Sequence, residues 1–184
     1  MIYFESPGEQ NTDATLRAAK DEALKRGIKY VVVASTWGGT AKIASEVFAG
    51  ADINLIIVTH NTGFKEPGKQ EFDLNLKKEL EAKGVKVHIG TMVLRNLGRS
   101  IKNVLGYCQE ELVNTALRMF GQGTKVCVEI AASACDAGLV PPEDIITVAG
   151  TGKGADTAIL IKAEPSCNFF EMKVKEYLAK PKNL

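Results

Sequence analysis

Three hydroxyl side chains and two glycines crowd into six residues, Ser35-Thr36-Trp37-Gly38-Gly39-Thr40. An apolar run, Tyr30 to Ala34, precedes them, and a segment of helical periodicity, Ala41 to Phe48, follows. A strand that turns through Gly-Gly into a helix leaves unpaired backbone N–H groups at the helix start. That end carries a partial positive charge, so it suits an anion, phosphate above all. Gly38 and Gly39 let the chain bend and let a phosphate approach the backbone. Ser35, Thr36 and Thr40 add hydroxyl donors. The competing reading is structural: Thr40 caps the helix and the glycines only form the turn.

A second loop, Gly150-Thr151-Gly152-Lys153-Gly154, offers a lysine among glycines. It is not a Walker A loop, because Gly154 follows Lys153 where Ser or Thr is required. It is not a dinucleotide fingerprint either, because an apolar strand, Thr157 to Lys162, follows where a helix is needed. Gly152, Lys153 and Gly154 either close over a bound phosphate or serve a hairpin turn. Trp37 and Phe64 either stack on a flat ligand ring or anchor their loops. His60, flanked by Thr59 and Asn61 at the end of an apolar strand, could serve as a base or a donor. His88 lies within a strand and reads as structural. No nucleophile elbow, zincin motif or paired cysteines appear, and Glu110-Glu111 reads as solvated charge. No residue set specifies a reaction, and the catalytic residues stay open.

The elements that must position these residues alternate. Strands are expected at Ile2–Phe4, Ile28–Ala34, Ile53–Thr59, Val85–Ile89, Ile145–Val148 and Thr157–Lys162. Helices are expected from Thr12, as N-cap, to Arg26, at Thr40–Phe48, Phe72–Lys83 and Glu110–Phe120, and in Thr124–Ala137; Met92–Gly106 reads as partly helical. The tail beyond Phe169 reads as a charged helix or strand. This pattern predicts an α/β fold, a three-layer sandwich with a mostly parallel sheet and an antiparallel edge hairpin. In such sheets ligands bind beyond the carboxyl ends of the strands. The connections Glu5–Asn11, Ser35–Gly39, His60–Glu71 and the stretch after Gly90 meet there.

Size and charge bound the rest. The chain has 184 residues with a net charge of +1, which suits one domain over residues 1–184 and offers no basic surface for nucleic acid or anionic membrane. No apolar run approaches the roughly 18–20 residues of a membrane span. The N-terminal residues lack the pattern of a secretory signal, so a cytoplasmic location is expected. Four cysteines without a CxxC pair and only two histidines argue against a zinc site and for reduced thiols.

The stretch from about Thr12 to Asn61 resembles the C-terminal α/β domain of pyruvate kinase. In that domain an apolar strand ends in a T-x-S-G-x-T-A turn, and the next strand ends in V-T. Here Thr36-Trp37-Gly38-Gly39-Thr40-Ala41 and Val58-Thr59 stand in those places. Gly38 departs from the pattern by replacing a serine, and Ser35 can compensate. Val148-Ala149-Gly150, its glycine loop and Thr157 resemble the domain's last hairpin. The resemblance implies a domain that binds a sugar-phosphate effector and carries no chemistry of its own; without the catalytic barrel, kinase activity is not expected. The chain also looks like stand-alone archaeal and bacterial proteins of this fold. That likeness implies flavin mononucleotide (FMN) as ligand, its phosphate in the Ser35–Thr40 turn and its ring near Trp37 or the His60–Phe64 loop. Three functions stay open: a binding module for such a ligand, a flavin-dependent oxidoreductase, and a regulatory or structural subunit with an effector-phosphate pocket. A homo-oligomer is compatible with all three.

Overall fold

The computed structural model describes residues 1–183. Seven strands form one sheet: β1 (Ile2–Phe4), β2 (Tyr30–Ala34), β3 (Asn54–Thr59), β4 (Lys86–Ile89), β5 (Asp144–Ala149), β6 (Thr157–Lys162) and β7 (Lys173–Pro181). Their order is β1-β7-β6-β5-β2-β3-β4, and β6 alone runs against the others. Six helices accompany them: α1 (Thr12–Arg26), α2 (Gly39–Val47), α3 (Leu74–Ala82), α4 (Asn96–Leu105), α5 (Gln109–Arg118) and α6 (Gln122–Asp136).

Between their end residues the central strands are apolar, with buried Thr147 of β5 the exception, because both of their faces are covered. Val31, Val33, Leu55, Ile57, Ile146 and Val148 point to one side, where they pack with α1, α2 and α3 through Leu16, Ala41, Ala44, Leu76 and Leu80. Val32, Ile56, Val58 and Ile145 point to the other, against Cys127, Ile130, Ala131 and Ala134 of α6. Period-two alternation thus sorts one run of β-branched residues into two cores. The α/β fold with a mostly parallel sheet is the one expected. The β5–β6 hairpin, however, is flanked by two further strands. The tail, ambiguous in sequence, adds β7 antiparallel to β6, and Ile2–Phe4 pairs beside it.

Helix starts differ from expectation in instructive ways. Thr12 is the first residue of α1 and Asn11 holds the cap position. Thr12 Oγ1 instead accepts the Ala155 N–H at 3.0 Å and donates to the Glu9 carbonyl at 2.7 Å, tying the last hairpin to α1. Asp73 caps α3 by accepting the Asn75 N–H, so that helix starts at Leu74. α5 ends at Arg118 and α6 begins at Gln122, two residues before the expected Thr124, so the two helices meet at a tight corner.

Candidate functional site

A cleft of about 710 Å³ opens beyond the carboxyl ends of the parallel strands. β2 and β5 are parallel neighbours, yet the connection leaving β2 leads to β3 on one side and that leaving β5 leads to β6 on the other. Loops that diverge from adjacent strands leave a crevice between them, the switch point at which open α/β sheets bind ligands. The turn after β2 and the glycine loop after β5 face each other across it.

The turn is built around Ser35 and Gly38. Ser35 is buried, and its Oγ accepts the Ala41 N–H at 3.2 Å, which makes Ser35, and not Thr40, the residue that caps α2. Gly38 takes φ of 98°, and a Cβ there would lie 2.3 Å from Leu76 Cδ2, so it seats the turn on α3 and does not line the cleft. Gly39 and Thr40 both line the cleft, and nothing lies within 4 Å of where a Gly39 Cβ would stand. Freed from capping, the Thr40 hydroxyl is available to a ligand.

The opposite rim is the loop Gly150–Gly154, of which Gly150, Gly152, Lys153 and Gly154 line the cleft. Its shape depends on Asp156, fully buried, whose carboxylate accepts the Thr151 N–H (3.0 Å), the Gly8 N–H (3.1 Å) and the Thr157 hydroxyl (2.7 Å). Gly154, at φ of 71°, lets the loop press on the N-terminal segment: an added Cβ would stand 2.4 Å from Glu9 Cα.

The segment from His60 to Glu71 forms the outer wall, and Glu71 organises it. Its carboxylate, largely buried, accepts from His60 Nδ1 (3.0 Å) and Trp37 Nε1 (3.3 Å) and pairs with Lys65 (3.2 Å). Burial pushes the Glu71 carboxyl up, but the hydrogen bonds from His60 and Lys65 outweigh it and hold the group below the usual carboxylate range. The other ring nitrogen of His60, Nε2, lies 3.5 Å from Thr36 Oγ1 on the cleft side. A carboxylate and an imidazole from the two ends of the outer wall and a hydroxyl from the turn thus stand in line, an arrangement suited to holding or moving a proton. Phe64 lies against the His60 ring, centroids 4.0 Å apart, and the Arg95 guanidinium sits 4.8 Å from the Phe64 centroid. Trp37 is half exposed and lines the cleft. Thr59 donates to the Thr36 carbonyl at 3.1 Å, which fixes the turn from below. Asn61 does not line the cleft; its Oδ1 accepts from Asn96 Nδ2 at 2.8 Å and ties the outer wall to α4. Half-buried His88 packs beneath Gly90, and burial pushes its pKa down.

Ten of the twelve candidate residues therefore line one cleft: Ser35, Thr36, Trp37, Gly39, Thr40, Thr59, His60, Gly152, Lys153 and Gly154. Sequence reasoning missed the fourth wall, the face of α6 that carries Gln122, Lys125, Glu129 and Ser133. The helix expected within Thr124–Ala137 shows an apolar stripe, Val126, Ile130 and Ala134, at a spacing of four. The polar stripe beside it, Lys125-Glu129-Ser133 at the same spacing, was the signal. Glu71 and Arg95 had none, since each acts through partners brought close only by folding; Asp156 joins the local Thr151 and Thr157 to Gly8, 148 residues away.

A family model described as "Pyruvate kinase, alpha/beta domain" matches residues 13–161. Among solved structures the chain is similar to Cryptosporidium parvum pyruvate kinase in complex with ADP, at 16% identity over 83% of this chain and 23% of that one, with a TM-score of 0.45. It is also similar to another crystal structure of that organism's pyruvate kinase, at 16% identity over 80% and 22% of the two chains, with a TM-score of 0.40. The chain thus spans less than a quarter of the length of those enzymes.

Proposed function

The chain belongs to the pyruvate kinase α/β-domain family, and from the cleft that this fold carries here we propose that it binds a phosphorylated small molecule with a flat ring, FMN foremost. One observation carries the reading. The same cleft of about 710 Å³ is lined by an unobstructed helix start at Gly39–Thr40, by a glycine loop bearing Lys153, and by the rings of Trp37 and Phe64. Its volume is that of a small-molecule site. The turn offers N–H donors and the helix dipole to a phosphate, with Lys153 as a mobile counter-charge. Half-exposed Trp37 offers a face to a ring, and Phe64, held between His60 and Arg95, closes the wall beside it.

FMN fits these residues: Gly39 leaves the backbone open to the phosphate, and Trp37 and the wall carrying His60 and Phe64 border the same cleft. When bound it supplies redox chemistry. The protein's part is to hold the phosphate, exclude water and present His60 Nε2, oriented by Glu71, as a proton donor or acceptor. The His60–Glu71 pair is the observation that favours a second reading, a flavin-dependent oxidoreductase, over a passive carrier.

The test is the absorbance of freshly purified protein in the near-ultraviolet and blue, with mass spectrometry of whatever denaturation releases. A flavin spectrum and a phosphate-bearing mass are expected. Reduction by a nicotinamide cofactor then separates enzyme from carrier. A colourless protein that takes up no FMN and no other phosphorylated ligand refutes the reading and leaves a regulatory or structural subunit.

A further inference from the structure

Lys125 is 2% exposed and Glu129 is no more so, yet both side chains line the cleft. The Nζ lies 2.5 Å from Glu129 Oε2. Glu129 Oε1 accepts the Leu94 N–H at 2.9 Å, and Asn114 Nδ2 donates to the Leu94 carbonyl at 2.6 Å, so the segment before α4 is clamped at both polar atoms. That clamp needs an acceptor at position 129 but no charge; a glutamine would serve it. A buried ion pair there costs desolvation that the fold does not require. The turn at Ser35–Thr40 and Lys153 face the same cavity.

We propose that Lys125 is an imine-forming lysine, and that the cleft captures a phosphorylated aldehyde or ketone whose phosphate sits at the Gly39–Thr40 turn and whose carbonyl carbon meets Lys125 Nζ. This rests on the phosphate half of the function proposed above and is independent of its flavin half.

The chemistry balances within the pair. Glu129 takes one proton from the Lys125 ammonium, and the freed amine attacks the carbonyl carbon. The second amine proton passes to the former carbonyl oxygen. Glu129 then returns its proton to that hydroxyl, which leaves as water. An iminium replaces the ammonium beside the same carboxylate, so the net charge of the buried pair never changes. Burial favours the free amine by pushing the Lys125 pKa down; Glu129 opposes this, and the Arg118 and Arg95 guanidiniums reinforce it. Desolvation beside other cations is a known way to activate a lysine.

The experiment treats the full chain with glyceraldehyde 3-phosphate and cyanoborohydride, maps the reduced adducts by peptide mass, and repeats this with unphosphorylated glyceraldehyde. Lys83, exposed on the surface, reports unassisted labelling. Lys125 is expected to label faster than Lys83, and faster with the phosphorylated aldehyde by roughly tenfold, the ratio that about 1.4 kcal/mol of phosphate binding confers. Thr40→Ala should narrow that ratio while Lys125 still labels. Labelling of Lys83 with none at Lys125 overturns the imine. Equal labelling of Lys125 by both aldehydes overturns the phosphate seat instead. Absence of bound flavin touches neither outcome.

Discussion

Lys125 and Glu129 permit a perturbation whose magnitude follows from burial. Lys125→Met leaves Glu129 charged, buried and without its partner. Breaking a buried pair from one side costs about 3–5 kcal/mol, and the low end applies because the Leu94 N–H still hydrogen-bonds the carboxylate. Glu129→Gln preserves the acceptor for Leu94 but strands an ammonium near two guanidiniums, so it should cost at least as much. Lys125→Met with Glu129→Gln removes both charges, keeps the Leu94 clamp and fills a similar volume, so the double variant should lie within about 1 kcal/mol of the parent. Urea unfolding of all four proteins at a common m value measures the cycle. A chain of this length shifts its Tm by about 2–4 °C per kcal/mol, so each single variant should melt roughly 6–12 °C lower at a cost of about 3 kcal/mol. A double variant as unstable as the two singles summed would refute the reasoning: the charges would not then be compensating each other.

Four further outcomes follow from the site. Gly38→Ala, at φ of 98° and 2.3 Å from Leu76, should destabilise by about 1–3 kcal/mol in urea unfolding, whereas Gly39→Ala, with open space at its Cβ, should change stability by no more than about 1 kcal/mol and weaken FMN binding in a titration. Thr40→Ala should weaken FMN by about 0.5–1.5 kcal/mol with little loss of stability, because Ser35 keeps the cap; unchanged affinity would remove the turn from the site. Asp156→Asn strips the charge from three hydrogen bonds and should cost about 1.5–3 kcal/mol, with faster amide exchange at Gly8 and Thr151. The Glu71 pKa lies below its ordinary value near 4.5, so its contribution to stability is present above that pH and is lost as pH falls through the lowered value. Glu71→Gln should flatten the acid limb of the stability–pH curve, and an unchanged limb would show that the His60 and Lys65 contacts do not hold in solution.

What the sequence determined by itself is local in origin. Apolar runs at Ile28–Ala34 and Ile53–Thr59 read as strands because burial on both faces leaves almost no polar position. The Ser35–Thr40 turn read as an anion seat or as a plain capped turn, since both readings rest on glycine and hydroxyl chemistry within six residues. The stretch Thr36-Trp37-Gly38-Gly39-Thr40-Ala41 carried the family resemblance for the same reason. The tertiary structure decided what depends on distance. Ser35 rather than Thr40 caps α2 because a hydroxyl six residues from the N–H it accepts reaches back only once the turn is folded. The tail became β7 because β6 offered an unpaired edge, and no property of Lys173–Pro181 alone reveals that. Glu71 gained its place from His60, Trp37 and Lys65, and Lys125 lines the cleft only because α6 turns that face toward it. Propensity and periodicity act over a few residues, whereas a site at a switch point is assembled from chain segments up to about 145 residues apart in sequence.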